Sequence, residues 1–212
     1  MSATKQSAII DTSRLIIQKG SKSFAAAAKI FDRDTRENAY MLYAWCRHCD
    51  DVIDNQELGF NSKPQDGETT QRILEELRTK TQAAIDDSPS SEPVFEGLRY
   101  VLRRNEIPGR CPHELLDGFA MDAAGHHYKD LDETLQYCYY VAGVVGIMMA
   151  HVMGAREQAA LQRAADLGIA FQLTNIARDV REDAEVGRIY LPADWLSEAG
   201  IPPAELLETQ HA

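Results

Sequence analysis

Two groups of polar, mostly acidic residues in this chain are spaced by one helical turn. Asp50 and Asp54 lie in CRHCDDVIDN, and Asn175, Asp179 and Asp183 lie in NIARDVREDAEVGR. Residues four apart share a helix face at roughly 5–6 Å between Cβ atoms, and like charges at that spacing repel. Stability alone therefore does not place them so, whereas oxygen-rich faces of this kind suit divalent cations, which in turn carry phosphate. A fold that uses both groups has to be helical at both places and has to turn the two faces toward each other.

The rest of the chain reads at the same period. Residues 5–19 and 22–31 form an initial pair of short helices, and Asp34-Thr-Arg-Glu37 is a capping-box pattern opening a long helix through Asp54. Asn55 to Thr70 reads as a mobile surface loop, a polar helix covers 71–86, and Pro93 suits the first turn of the next helix. Arg110-Cys-Pro112 opens a helix to about His127, and Asp130-Leu-Asp-Glu133 caps one that continues to about Gly154. Residues 156–185 form the longest periodic stretch, and Pro192 starts a short helix that Gly200 ends. Sustained period-2 alternation is missing, so strands are expected to be few or none. The expectation is one all-α domain over 1–212, a helical bundle with its acidic faces turned inward. The last residues, Glu205 to Ala212, start another helix and read as an interrupted sequence.

Composition narrows the function. At 212 residues with a formal charge of −11, the chain lacks the basic footprint that nucleic acid requires. An acidic protein that binds an anion must interpose metal or a local basic cluster. No secretory signal or transit-peptide character is visible in MSATKQSAII. The longest apolar run, Tyr139 to Met153, falls short of the ~20 residues that span a bilayer. A cytoplasmic protein with peripheral membrane contact is the expectation. Cys46 and Cys49 form a C-x-x-C without a second pair or a βαβ context, so all four cysteines read as reduced core thiols.

Within the first group, Asp50 and Asp54 are the candidate ligands, while Asp51 lies about 100° around the helix and supports them. Arg47, one turn earlier, can grip phosphate bidentately. In the second, Arg178, Arg181 and Glu182 belong to an outer surface, and Gly168 permits close approach of substrate or helix. Leu167, Phe171, Leu173 and Ile176 read as the apolar face of that helix. Mg²⁺, or Mn²⁺ in its place, prefers one or two carboxylates plus substrate phosphate oxygens to an all-protein cage. Metals held this way stabilise departing diphosphate, and the carbocation left behind calls for a dry apolar cavity. Phe24, Tyr43, Tyr137, Tyr139, Tyr140, Val141, Met148 and Phe171 are candidates for its wall, each with an ordinary reading as core.

Ser21-Lys-Ser-Phe24, the segment Tyr43 to Asp54, Tyr137 to Gly146, Phe171 to Asp183 and Gly187-Arg-Ile-Tyr-Leu-Pro192 together resemble the squalene/phytoene synthase family. The resemblance implies an isoprenoid-synthase fold with a central cavity and head-to-head condensation of two geranylgeranyl diphosphates, with no nicotinamide cofactor. It implies Asp50, Asp54, Asn175, Asp179 and Asp183 as metal ligands, the aspartates being catalytic. Lys22, Arg47, Arg178, Arg188 and Tyr190 would contact diphosphate. Phe24, Tyr43, Tyr137, Val141, Gly146 and Gln172 would line the prenyl channels. Family members continue for several helices beyond this chain's last residue. Farnesyl-using and geranylgeranyl-using members share these site residues, so chain length is not decided by them. His126 and His127 have no assigned role.

Three other readings compete. A chain-elongating prenyltransferase would place paired aspartates where Asn175 and Ile176 stand. A terpene cyclase would carry a hydroxyl and a Glu in the later positions of the second motif. A non-catalytic assembly relative need not keep the aspartates, all of which are present here.

Overall fold

The long apolar-polar period of residues 33–53 produces the helix around which the others pack. In the computed structural model, which describes residues 3–56, 58 and 67–207, this is α3 (Arg33–Ile53), preceded by α1 (Ala3–Gly20) and α2 (Lys22–Ala27). Then follow α4 (Gly67–Ile85), α5 (Pro93–Arg104), α6 (Arg110–Ala123), α7 (Leu131–Cys138) and α8 (Val144–Val152). The second acidic group lies on α9 (Gln158–Arg178) and α10 (Val180–Glu185), and α11 (Ala193–Ala199) comes last. No strand occurs among the described residues.

Trp45, Leu42 and Met41 on α3 are buried against Phe95 and Leu98 of α5, Leu116 of α6 and Met148 of α8. This core puts the C-terminal turn of α3, with its aspartates, at the edge of the buried region. A second apolar cluster of Tyr128, Tyr137, Cys138, Ile176 and Tyr190 lies beside it. All four cysteines are free thiols, and burial pushes Cys46 up to about 12.

Helices α8 and α9 approach each other closely because two glycines permit it. A Cβ at Gly146 would lie 2.2 Å from the Ala164 carbonyl oxygen, and one at Gly168 would lie 2.3 Å from that of Ala142. Gly146 therefore serves helix packing and does not line a channel, and Gly168 admits a helix rather than a substrate. From Leu131 to Val152 the chain is 22 residues of helix, with mean hydropathy 1.3 over an 18-residue stretch of it, long and apolar enough to cross a bilayer by length and composition. It packs between α6 and α9, as a core helix does.

Several boundaries differ from expectation for identifiable reasons. The N-cap of α3 is Asp32, whose Oδ1 accepts from Thr35 N at 3.0 Å, while Asp34 is drawn to Arg104. Helix α4 begins at Gly67, inside the stretch expected to be loop; residues 57 and 59–66 lie outside the described residues. Helix α6 ends at Ala123, and the expected 156–185 helix turns at Asp179. Between α7 and α8, Tyr139–Gly143 is π-helical, an extra residue inserted into the turn where the helix meets α9.

Candidate active site

Asp50 and Asp54 close α3. Arg47 Nη1 donates to Asp50 at 2.6 Å, one turn back along the helix. Asp51 accepts from the backbone N–H of Leu58 at 2.8 Å, and its other oxygen lies 3.8 Å from Arg47 Nη1. Asp54 is the C-cap, where its carboxylate accepts from Gln56 Nε2 at 2.6 Å. Burial, with Asp54, Asp51 and Asp122 nearby, pushes the Asp50 carboxyl up to about 6 even though Arg47 opposes the shift.

On the other side, Asn175, Asp179 and Asp183 are half-buried while Thr174, Arg178, Arg181 and Glu182 are exposed. The helical stripe read from the sequence therefore faces inward. Asn175 Nδ2 lies 3.3 Å from Gln172 Oε1. Arg178 Nε donates to Asp179 at 2.6 Å, and this bond holds its carboxyl below the ordinary value. Asp183 is pushed up to about 6 by burial and by Asp179, with Arg188 pulling the other way.

Arg188 joins the two groups. Its Nη1 donates to Asp54 Oδ2 at 3.0 Å and its Nη2 to Asp54 Oδ1, across 134 residues of sequence. The backbone places it there. Gly187 has φ +80°, its N–H bonds Ala184 O at 3.0 Å, and the N–H of Arg188 bonds Asp183 O at 2.9 Å. That is a Schellman end to α10. Beyond it, Thr134 Oγ1 donates to Tyr190 O at 3.1 Å, and Ala193 N donates to Tyr128 O at 2.9 Å. The segment is thus strapped to α7 and to the loop before it.

Asp122, on the last turn of α6, was missed by the sequence reading. Its two oxygens accept from Tyr137 at 2.9 Å and Tyr190 at 2.8 Å, and the two rings stack at 4.8 Å. Burial pushes its carboxyl up to about 6, while Arg188 and the tyrosine hydroxyls act against that. The available signal was a carboxylate in the apolar run Phe119-Ala-Met121. This moves two expected residues. Tyr190 reaches Asp122 rather than an open anion site, and Tyr137 is a buried prop for the same carboxylate rather than an exposed channel wall.

Other expected wall residues divide. Val141 packs into the space left by Gly118, and Met148 is wholly buried core. Tyr139 bonds Glu114 at 3.0 Å, so it belongs to the α6 face. Phe24 is 59% exposed and meets Tyr43 edge-on at 6.1 Å. Phe171 and Leu167 are 58% and 56% exposed, so they form no part of the buried face of α9. Lys22 is exposed at the start of α2, and no ion pair joins it to the aspartates among the described residues. Ile176, Val180, Asp183, Arg188, Tyr190 and Leu206 help line a cavity of about 10 Å³, the size of one water.

Among the described residues, no three Asp, Glu, His or Cys side chains converge to hold an ion. The expected ligand set is not gathered here, because Asp50, Asp54 and Asp179 each turn to an arginine: Arg47, Arg188 and Arg178. The donor chemistry nevertheless fits a hard cation. It is all oxygen, four carboxylates and the Asn175 amide, and burial with neighbouring carboxylates raises the Asp50 and Asp183 carboxyls to about 6, where a cation would offset their charge. The Nε of Arg47 is also buried without a hydrogen-bond partner, as expected of a donor awaiting an anion.

The sequence profile of the squalene/phytoene synthase family matches residues 17–212. The phytoene synthase of Pseudescherichia vulneris is 50% identical over 93% of this chain and 64% of its own length. The 15-cis-phytoene synthase of Pantoea ananas is 53% identical over 86% of this chain and 59% of its own. The chain thus spans about 60% of the length of these relatives. A crystal structure of a dehydrosqualene synthase in complex with ligand superposes with TM-score 0.84 at 29% identity, covering 97% of this chain and 68% of that one. The squalene synthase of Alicyclobacillus acidocaldarius shares the fold, at TM-score 0.83 and 20% identity, over 97% of this chain and 74% of that one. With the fold, the two inward stripes and the profile in agreement, the chain belongs to the squalene/phytoene synthase family.

Proposed function

We propose that this chain forms the diphosphate-ionising body of an enzyme that condenses two geranylgeranyl diphosphates head to head into phytoene. The observation that carries the reading is the Arg188–Asp54 pair, which ties the end of α3 to the segment directly after the second acidic stripe. The choice of the C20 substrate rests on relatives at 50% and 53% identity that are named phytoene synthases.

Asp50, Asp54, Asn175, Asp179 and Asp183 are the residues that would hold Mg²⁺, or Mn²⁺ in its place. Bound metal would supply positive charge to the diphosphate oxygens as the C–O bond breaks. Arg47, Arg178 and Arg188 stand beside those aspartates and would grip the departing diphosphate, and Lys22, exposed at the start of α2, would add further positive charge. Asp122, held by Tyr137 and Tyr190, keeps the Arg188 guanidinium drawn to the site. Tyr43, Phe24, Val141 and Gln172 would border the prenyl chains, Phe24 from an exposed position edge-on to Tyr43. The allylic cation from one substrate would be captured by the double bond of the other, and the tertiary cation so formed would lose a proton as the ring closes to a cyclopropylcarbinyl diphosphate. This ionises in turn, rearranges and loses a proton.

Incubation of the protein with geranylgeranyl diphosphate and Mg²⁺ tests the reading, with a C40 hydrocarbon and released diphosphate expected. A longer linear diphosphate or a C20 hydrocarbon would sink it. Preferred turnover of farnesyl diphosphate to a C30 product would overturn the substrate choice alone. Greasy substrate and product call for a cytoplasmic enzyme in peripheral contact with membrane, which cosedimentation with phospholipid vesicles checks.

A further inference from the structure

We propose that Arg188 is a built-in stand-in for a divalent cation: it occupies Asp54 when the site is free of ligands and transfers to diphosphate as metal arrives. This rests on the functional reading above. The pairing is two-pronged, Nη1 to Oδ2 at 3.0 Å and Nη2 to Oδ1, so the guanidinium holds both oxygens of the carboxylate. A carboxylate engaged through both oxygens by a guanidinium has to loosen that grip before it coordinates a hard cation.

The position is a product of the fold rather than a chance surface contact. The Schellman turn at Gly187 and the bonds from Thr134 and to Tyr128 fix the backbone on both sides of Arg188. The side chain is only 33% exposed and that of Asp54 only 11%. Arg47 and Arg178 repeat the pattern on Asp50 and Asp179, but they are three residues and one residue from their partners. They can change partner within one turn of helix. Arg188 alone ties the first stripe to the segment that follows the second.

A partly buried guanidinium that leaves a carboxylate needs another anion close by, because an uncompensated buried charge is expensive. Asp122 attracts Arg188 and keeps it within the site, and an incoming diphosphate supplies the missing counter-charge. The exchange leaves every charge paired: metal on Asp54, guanidinium on phosphate. Metal alone must displace Arg188 without offering it a partner. Diphosphate alone must approach unneutralised aspartates. The two ligands therefore bind as a coupled pair.

Calorimetric titration of the metal-free protein with Mn²⁺, with and without saturating inorganic diphosphate, tests this without any turnover. In the wild type, Mn²⁺ affinity is expected to rise within the roughly 5–150-fold span of ordinary site coupling when diphosphate is present. Arg188→Gln should bind Mn²⁺ alone about 5-fold or more tighter than wild type, with reduced coupling. Arg188→Lys keeps the charge but loses the two-pronged grip, so it should also gain affinity for Mn²⁺ alone. Arg181→Gln removes an exposed α10 arginine paired with Glu185 and should behave as wild type. Circular dichroism melts establish that each variant folds. If neither Arg188 variant gains affinity for Mn²⁺ alone, or if Arg181→Gln gains as much, the stand-in role is wrong while the metal site stands. If no variant binds Mn²⁺, and Asp54→Asn changes nothing, the functional reading falls with it.

Discussion

Asp122 should make this protein more stable in mild acid than at neutral pH, and Asp122→Asn isolates the effect. Two tyrosine hydroxyls stabilise the carboxylate, yet burial outweighs them and pushes the group from 3.8 to about 6. A shift of about 2 pKa units corresponds to about 3 kcal/mol between the ionised and protonated folded forms. The sign follows from proton counts. Between 3.8 and about 6 the folded state binds this proton and the unfolded state releases it, so stability grows as pH falls through the window. Integrating from pH 7.5 to 4.5 gives about 2 kcal/mol, with the remainder below pH 4.5. Asn keeps the shape and cannot titrate. The stability difference between wild type and Asp122→Asn should therefore move by about 2 kcal/mol in favour of wild type over that range. For a chain of this size that is roughly 4–8 °C in Tm. Asp50 and Asp183 also sit at about 6, but both proteins carry them, so their contribution largely cancels in the difference. Melts followed by circular dichroism in EDTA measure it. Parallel pH profiles for the two proteins would refute the reasoning.

Tyr190→Phe removes one hydrogen bond to the Asp122 carboxylate, a kind worth about 1.5–3 kcal/mol, and should raise that carboxyl further. The same pH melts should show its acid-side gain beginning at higher pH, and an unmoved onset would count against the bond. Gly168→Ala sets a methyl 2.3 Å from the Ala142 carbonyl oxygen, so α9 must retreat by about 1 Å. Overpacking of about 1–3 kcal/mol outweighs the gain of up to about 1 kcal/mol from replacing a helical glycine, so Tm should fall by a few degrees; a higher Tm would contradict the close approach. His151 is buried, with its pKa depressed first by desolvation and then by Arg156. Its contribution is present above 6.5 and is lost as pH falls toward its lower folded value, so His151→Leu should lose less stability than wild type between pH 7.5 and 5.5. Denaturant titrations at the two pH values decide it.

Helix existence could be read from the sequence because amphipathic period and caps are local. Asp130 caps α7 through Glu133 N at 3.0 Å, Pro93 opens α5, and Gly200 closes α11 at φ +68°, each where its residue type implied. Boundaries failed where a distant partner decided. Asp34 and Asp32 are both competent N-caps by type. Arg104, 70 residues away in the chain, claims Asp34 and leaves the capping to Asp32. The π-helical turn at Tyr139–Gly143 answers to the packing of α9 against Gly143, where a Cβ would lie 3.4 Å from Ile169. No periodicity within residues 131–152 encodes that contact.

The site divides along the same line. A site proposed to hold metal and diphosphate calls for particular residue types at fixed spacing, so the sequence could nominate Asp50, Asp54, Asn175, Asp179 and Asp183. Spacing reports which face a side chain shares, not what it touches. Tyr137 and Tyr190 were placed in the right region with the wrong partner, because Asp122 is 15 and 68 residues away from them. The same limit hid the arrangement of charge. With 22 basic against 33 acidic residues, the chain as a whole repels anions, so the positive charge that would receive the proposed diphosphate has to be local. Sequence could nominate Arg47, Arg178 and Arg188 as that charge. Only the fold shows each already neutralising an aspartate proposed to bind metal.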